Sequence, residues 1–501
     1  MKDIPNVILI VMDTVRADHL SCYGYPRETT PNIDRIARSG VLYENAFSAA
    51  PWTPPSHASI FTGKYPSHHK TLGKEVKLDK GNVSLPQILS QRGYRTIGIT
   101  CCKLLGLGSG FEKGFQEFFE PESPFLSRFK SSRRDFKLDR LHLKDYVRTL
   151  IYGPDRGTYQ ATDAIKRFLK RRHKIRKPFF MFINYFNCHT PYDPPRPFKK
   201  RFCNCSDQSR FYTKELLLNR VLGRTTEKIS DHNLNVRKLR WVASGEGALF
   251  FVMKELSVSQ EEWEVVKSWY DGEIAYLDHQ IGNLLEFLRD EDMFDNTLLI
   301  ITSDHGENFG DHGLAVHPLC VYDSLLHVPL IVSYPDLIPE GKRIANLVST
   351  VDIFPTVMDV SNIKFENGLQ GKSLYPFENR KIHDFICAEY GGLFMRGLGG
   401  WKGKRPSGFK NKLEVIDKGR KCIRTMNYKY TLTNGKEELY NVRDDPSELA
   451  NIVTEYSKMA KSLRKQLEKT VDISYFGPAE FPQANEKDRE MLKRLKALGY
   501  F

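Results

Sequence analysis

Three short apolar runs in this chain each end in residues that carry chemistry. NVILIVM leads into Asp13 and Thr14, FFMFINYFNC leads into His189, and LLIITS leads into Asp304 and His305. Runs of five to seven β-branched, aromatic or leucine side chains, too short for helices, read as strands buried on both faces. In all, runs of this kind lie at Val7–Met12, Thr96–Thr100, Phe179–Asn184, Leu298–Thr302 and Leu330–Tyr334. Between them run helical patterns. In YDGEIAYLDHQIGNLLEFLRD the residues Ile274, Leu277, Ile281, Leu284 and Leu288 recur at steps of three and four, one face of a helix. Strands alternating with helices predict an α/β fold, a mostly parallel sheet sandwiched by helices.

Ligands of such sheets bind beyond the carboxyl ends of the strands. Three strand ends delivering Asp, His and Asp-His to one edge therefore mark a candidate site. Any one of these carboxylates alone would read as a turn or cap residue. Hard oxygen donors with an imidazole suit a divalent cation: Ca²⁺, Mg²⁺, Mn²⁺ or Zn²⁺. A fourth element is APWTPPSHASIFTGKYPSHH, in which Ser56 to Phe61 reads as a short helix with Thr53 and the prolines leading in. A hydroxyl beside unpaired helix N–H groups and a cation is placed to become a nucleophile.

The region from about 380 onward changes character. CIRTMNYKYTLTNGKEELYNV holds two strand-like runs around an Asn-Gly turn, followed by a charged helical pattern from Asp445 to Thr470. The expected division is a catalytic α/β domain over 1–380 and a small α+β subdomain over 381–501, with an antiparallel sheet.

At 501 residues the chain can bury a large core, and no run approaches the roughly 18 apolar residues of a membrane span. The opening apolar run is too short for a secretory leader, and the nine cysteines lack regular spacing. Together these give the expectation of a cytoplasmic protein with reduced thiols. The net charge of +14 is concentrated, with 17 Lys and Arg against 5 Asp between Arg128 and Lys177. That block belongs to an insertion over about 120–260, expected to roof the site and turn Arg and Lys toward an anionic substrate. Solvated outer helices are the alternative reading of the same charges. No nucleic-acid motif accompanies them.

In order along the chain, NVILIVMDTVRADHLSCYG, WTPPSHASIFTGKYP, NCHTPYDPP, YDGEIAYLD, TSDHGENFGDHG and ELYNVRDDPSELANI resemble elements of the sulfatase branch of the alkaline phosphatase superfamily, across nearly the whole length. The resemblance implies that Asp13, Asp304 and His305 bind a divalent metal, Ca²⁺ by family habit. Thr14 stands where many relatives have a second acidic or amide ligand. Thr53 falls at the nucleophile position and thereby beside the metal, and His57 falls at the Arg of the nucleophile signature. His189 would protonate the leaving group, and His317 would touch the anion. Lys103 approximates another anion-binding Lys, His69 follows the signature and lines the pocket, and His312 lies near with no role assigned.

The implied activity is hydrolysis of a sulfate, phosphate or phosphonate ester. Sulfatases oxidise Cys or Ser at the nucleophile to formylglycine, whereas oxidation of threonine gives a ketone. Direct attack by Thr53 is therefore expected. Phosphodiesterases and phosphoryl-group transferases of the superfamily are the neighbouring alternative. A non-catalytic scaffold holding an anionic polymer on its basic insertion is the alternative of another class. The expected partner is an anionic ester on a small molecule, glycan or lipid head group, with no nucleic acid, no membrane span and no oligomeric state indicated.

Overall fold

The computed structural model describes residues 4–72, 77–121, 155–170, 177–203, 238–243, 245–317, 319–338, 341–365, 368–392 and 418–474. Most of the expected basic insertion, the polar stretch 204–237 and Cys205 lie outside the described residues.

An eight-stranded sheet runs through the larger unit. Its strands are β1 (Asn6–Met12), β2 (Val41–Phe47), β3 (Arg95–Thr100), β4 (Glu117–Phe119), β5 (Phe179–Tyr185), β6 (Thr297–Ser303), β9 (Leu330–Ser333) and β10 (Lys342–Ser349). A small hairpin of β7 (Asn308–Phe309) and β8 (Ala315–Val316) lies between β6 and β9. The order is β10-β2-β9-β6-β1-β5-β3-β4, and β9 alone is antiparallel to its neighbours. β1, β5 and β6 occupy the middle, which is why their sequences are apolar on both faces: every residue of β5 and β6 is buried.

All five runs expected as strands are strands. β2 and β10 escaped the reading because β2 carries Glu44 and Asn45 within it and β10 is a half-exposed edge strand. The reversed direction of β9 has no signature in its own residues.

The long helix spans Gln260–Asp290, ten residues more than the apolar stripe suggested. Its start is fixed by a capping box, Ser259 accepting from Glu262 N while the Glu262 carboxylate accepts from Ser259 N. The helix at Thr53 begins three residues earlier than expected, with both prolines in its first turn, where no N–H is needed. Gly63 closes it at φ +65°, and a Cβ there would meet the Leu369 side chain at 2.9 Å.

The smaller unit is an antiparallel sheet in the order β11 (Ile386–Tyr390), β12 (Arg420–Arg424), β13 (Tyr428–Thr433), β14 (Lys436–Asn441). Asn434 and Gly435 turn β13 into β14 with φ of 46° and 87°. The following helix is shorter than expected, Ser457–Thr470, and lays Ala460, Leu463 and Leu467 on the sheet beside Ile423, Tyr430 and Leu432. Cys203 is disulfide-bonded, against the expectation of reduced thiols throughout, whereas Cys22, Cys101, Cys102, Cys188, Cys320, Cys387 and Cys422 are free. No helix among the described residues is long and apolar enough to cross a membrane.

Candidate active site

Register builds the site. Met12 at the end of β1 pairs with Tyr185 of β5 on one side and Ser303 of β6 on the other, so Asp13 and Asp304 emerge side by side. The Ser303 hydroxyl ties the two ends, donating to Met12 O at 2.5 Å and accepting from Val15 N at 2.9 Å. Asp304 Oδ1 accepts from Thr14 N (3.1 Å) and its own neighbour His305 N (2.9 Å). The connection from β2 carries Thr53 across this edge. Ser56, one turn on, donates to Asp304 O at 2.7 Å and clamps the helix there.

Asp13, Asp304 and His305 are fully buried, and one ligand atom from each lies within 4.8 Å of the others. Among the described residues, Asp13 Oδ1 and Asp304 Oδ2 have no hydrogen-bond partner, and neither has Thr14 Oγ1. Burial, then the Asp304 charge, hold the Asp13 carboxyl well above its usual range. Two partnerless carboxylate oxygens in one buried cluster are costly as a charged pair, and a cation or a proton relieves them. His305 supports that geometry. Its Nδ1–H donates to Gly306 O at 2.9 Å, which leaves the Nε2 lone pair toward Thr53 and Asp304. Burial lowers its pKa to about 3, so the ring is neutral, as a ligand must be. Thr14 sits at φ 61°, a left-handed conformation unusual for a β-branched residue, and its carbonyl accepts from Tyr270 Oη at 2.7 Å. The Asp13, Asp304 and His305 donors thus fit a divalent ion.

Thr53 Oγ1 is 3.5 Å from Asp13 Oδ2 and 3.4 Å from His305 Nε2. It stands on the first residue of its helix, at the positive end of the dipole. His57 lies one turn below. Its Nδ1 donates to Thr53 O (2.9 Å) and stays 3.5 Å from Asp304 Oδ2, while Nε2 is buried without a partner. Burial lowers the pKa of this ring as well.

Two more histidines line the opposite side. His189 donates through Nδ1 to Thr190 O at 2.8 Å and stacks on Phe186 with ring centres 4.3 Å apart. His317 is held by Glu307 Oε1 (3.1 Å), whose other oxygen accepts from Tyr192 Oη (2.9 Å). The His317 ring lies 4.3 Å from that of His305 and 5.0 Å from that of His189. Burial, with His317 and Arg156 adding to it, pushes the His189 pKa well below the usual imidazole value.

The other expected site residues have the following surroundings. His69 is buried with Nε2 at 3.0 Å from Ser59 Oγ and Nδ1 accepting from Thr71 N at 3.1 Å, a packing arrangement behind the helix. Lys103 begins a 3₁₀ turn, Lys103–Leu105, just beyond β3 and is half-buried. His312 is exposed and stacks on Tyr322 at 3.6 Å. Sequence reading missed Glu307, although it stands two residues after His305 in a quoted motif. It also missed Glu273 and Arg156, which carry no local signature. Glu273 lies inside the long helix, accepting from Asn187 Nδ2 (3.3 Å) and Asp193 N (2.9 Å) beneath the His189 loop.

Residues 5–363 match the Sulfatase family model. An N-acetylglucosamine-6-O-sulfatase of Bacteroides thetaiotaomicron is 26% identical over 93% of this chain and 86% of its own. An arylsulfatase of Clostridium perfringens is 24% identical over 93% of this chain and 94% of its own. Among solved structures, a phosphonate monoester hydrolase of Agrobacterium radiobacter superposes with a TM-score of 0.67 at 22% identity, covering 96% of this chain and 98% of that one. With this match over most of its length, the chain belongs to the sulfatase family.

Proposed function

We propose that the chain is a metal-dependent hydrolase of sulfate, phosphate or phosphonate esters that works through a covalent adduct on Thr53. The observation that carries the reading is the placement of the threonine hydroxyl, Thr53 Oγ1, 3.4 Å from His305 Nε2 and 3.5 Å from Asp13 Oδ2. Sulfatase relatives and a phosphonate monoester hydrolase neighbour support hydrolysis of this class of ester.

Asp13, Asp304, His305 and Thr14 would hold the divalent cation, which supplies positive charge that favours the Thr53 alkoxide and the anionic ester oxygens. The helix dipole at Thr53 adds to that charge. Thr53 Oγ1 attacks the central phosphorus or sulfur, its bond forms, and the bond to the ester oxygen breaks. His189, protonated once the anionic ester lies against it, gives its proton to the departing alcohol oxygen. His317, fixed by Glu307, donates to an equatorial oxygen. In the second half the neutral His189 accepts a proton from water as the water oxygen attacks the adduct, and the Thr53 oxygen leaves.

The neutral threonine favours phosphate and phosphonate esters at least as well as sulfate esters, because no aldehyde hydrate is available to expel sulfate. A panel of aryl sulfate, phosphate monoester, phosphodiester and phosphonate substrates with different divalent ions tests the reading. Turnover that Thr53→Ala abolishes while the fold persists is the expected result. Turnover that persists in that variant refutes the adduct.

A further inference from the structure

Arg156 stands beside Phe186 on the His189 side of the site, half-buried and without a salt bridge among the described residues. The guanidinium offers five N–H donors. One of them, on Nη2, donates to Pro191 O at 2.5 Å, and the Cζ atom lies over the Phe186 ring, 5.4 Å from its centre. The acidic group with most influence on Arg156, Glu273, is already engaged by Asn187 and by Asp193 N. Tyr192, the next, is committed to Glu307. Arg156 is half-buried, and burial draws its proton affinity down despite these neighbours. A partly desolvated cation without a counter-ion is costly to keep, unless a ligand completes it.

Its position says which part of a ligand it meets. Arg156 covers Phe186, Phe186 stacks on His189, His189 meets His317, and His317 meets His305 beside Thr53. Along this path Arg156 lies beyond His189 from Thr53, on the side where, in the reading above, the alcohol half of the ester leaves, and it still feels the charge of Asp13. It also remains reachable from solvent.

Resting on the ester-hydrolase reading above, we propose that Arg156 is the specificity residue of the site and receives a carboxylate, or an anionic group of like geometry, carried by the alcohol half of the substrate. The guanidinium presents parallel N–H groups that match a carboxylate in a two-pronged contact, and the Phe186 ring lies beneath its Cζ atom. The preferred substrate is thus at least doubly anionic: the ester itself, and a second negative group on the leaving alcohol.

The test compares phenyl esters with 3- and 4-carboxyphenyl esters of whichever acid the wild type cleaves, in wild type, Arg156→Gln and Arg156→Lys. The carboxylated esters lose about 10- to 100-fold more kcat/KM than the plain phenyl ester in the Gln variant, mostly through KM, over and above any common change that follows from removing the Arg156 charge near His189. Arg156→Lys, which keeps the charge and loses the fork, recovers part of the loss and also guards against misfolding of the Gln variant. Equal losses for both esters overturn the proposal, because Arg156 then only holds Pro191 and the His189 loop. Calorimetric binding of 3- and 4-hydroxybenzoate, against phenol, is read in parallel. Binding by wild type and not by Arg156→Gln supports the subsite even if no ester is cleaved, an outcome that removes the hydrolase reading instead. Hydroxybenzoates that bind no better than phenol to wild type, or equally well to both proteins, overturn the subsite.

Discussion

Thr53 Oγ1 lies 3.4 Å from His305 Nε2, although 252 residues separate them. That contact brings the threonine hydroxyl beside the candidate metal donors, and oxidation of a secondary alcohol would give a ketone rather than an aldehyde. Purified protein should therefore yield an active-site peptide of unmodified threonine mass. Thr53→Ser keeps the hydroxyl and should retain activity within about 10-fold, while Thr53→Ala should lose about 10³-fold or more. Peptide mass spectrometry and steady-state rates on one preparation check both parts.

Removal of divalent ions should destabilise the protein in a pH-dependent way. An ion present at about 100 times its Kd adds about 2.7 kcal/mol, so chelation should lower the thermal midpoint visibly. In the ion-free protein the Asp13 pKa stands above its unfolded value of 3.8, because burial and Asp304 disfavour the charged form. The folded state then holds a proton that the unfolded state releases. Stability from this group is full below about pH 4 and is lost as pH rises through the raised folded pKa. Urea midpoints of chelated wild type should fall with rising pH, and chelated Asp13→Asn should show less of that slope.

Much of this site was legible because parallel strands concentrate chemistry at one edge, and β1, β5 and β6 announce themselves by apolar runs with an abrupt polar end. The Asp13, Asp304 and His305 cluster follows from that pattern alone. What stayed hidden depends on contacts far apart in sequence. Arg156 meets Phe186 and Pro191 across about thirty residues of chain, and nothing in GPDRGT marks it. His69, next to the signature, has both ring nitrogens engaged, Nε2 by the Ser59 hydroxyl and Nδ1 by Thr71 N, partners that its sequence position does not announce. β9 looked like its neighbours because direction is set by the connection, not by side-chain pattern.

Glu273 gives a second pH signature at a different place. Burial inside the long helix raises its pKa from 4.5 to about 7, against the pull of Arg156. The sign is again that of a raised carboxyl. Its contribution is complete below the unfolded value near 4.5 and disappears as pH climbs through about 7. Glu273→Gln is neutral at every pH and can still accept from Asp193 N. The variant should remove a slope of up to about 3 kcal/mol between these limits, read as a smaller difference in urea midpoint between about pH 5 and about pH 8. A variant with the wild-type slope would place the buried proton elsewhere.

The smaller sheet is fastened to the catalytic unit by a buried charge cluster, and that cluster reaches the active-site loop. Lys429 Nζ contacts Asp323 Oδ1 at 2.7 Å and Glu448 Oε1 at 2.8 Å, and the lysine is fully buried. Arg424 Nε adds a bond to Asp323 Oδ2 at 3.1 Å, and Asp323 N donates to Glu448 Oε2 at 2.6 Å. Two residues beyond Asp323, Leu325 O accepts from Gly306 N at 2.8 Å, next to His305. Lys429→Met removes the shared cation and leaves two buried carboxylates facing each other. Breaking such a group from one side costs about 3–5 kcal/mol, far more than a surface pair. Burial already raises Glu448 to about 7, and without Lys429 it rises further, so the variant binds a proton in exchange for the lost charge. The deficit should therefore be larger at about pH 8 than at about pH 5, opposite to an effect of lost packing, which would not depend on pH. Urea midpoints of both proteins at the two pH values decide between these causes. If the cluster also holds the Gly306 turn in place, the same variant should bind its divalent ion more weakly in direct calorimetric titration.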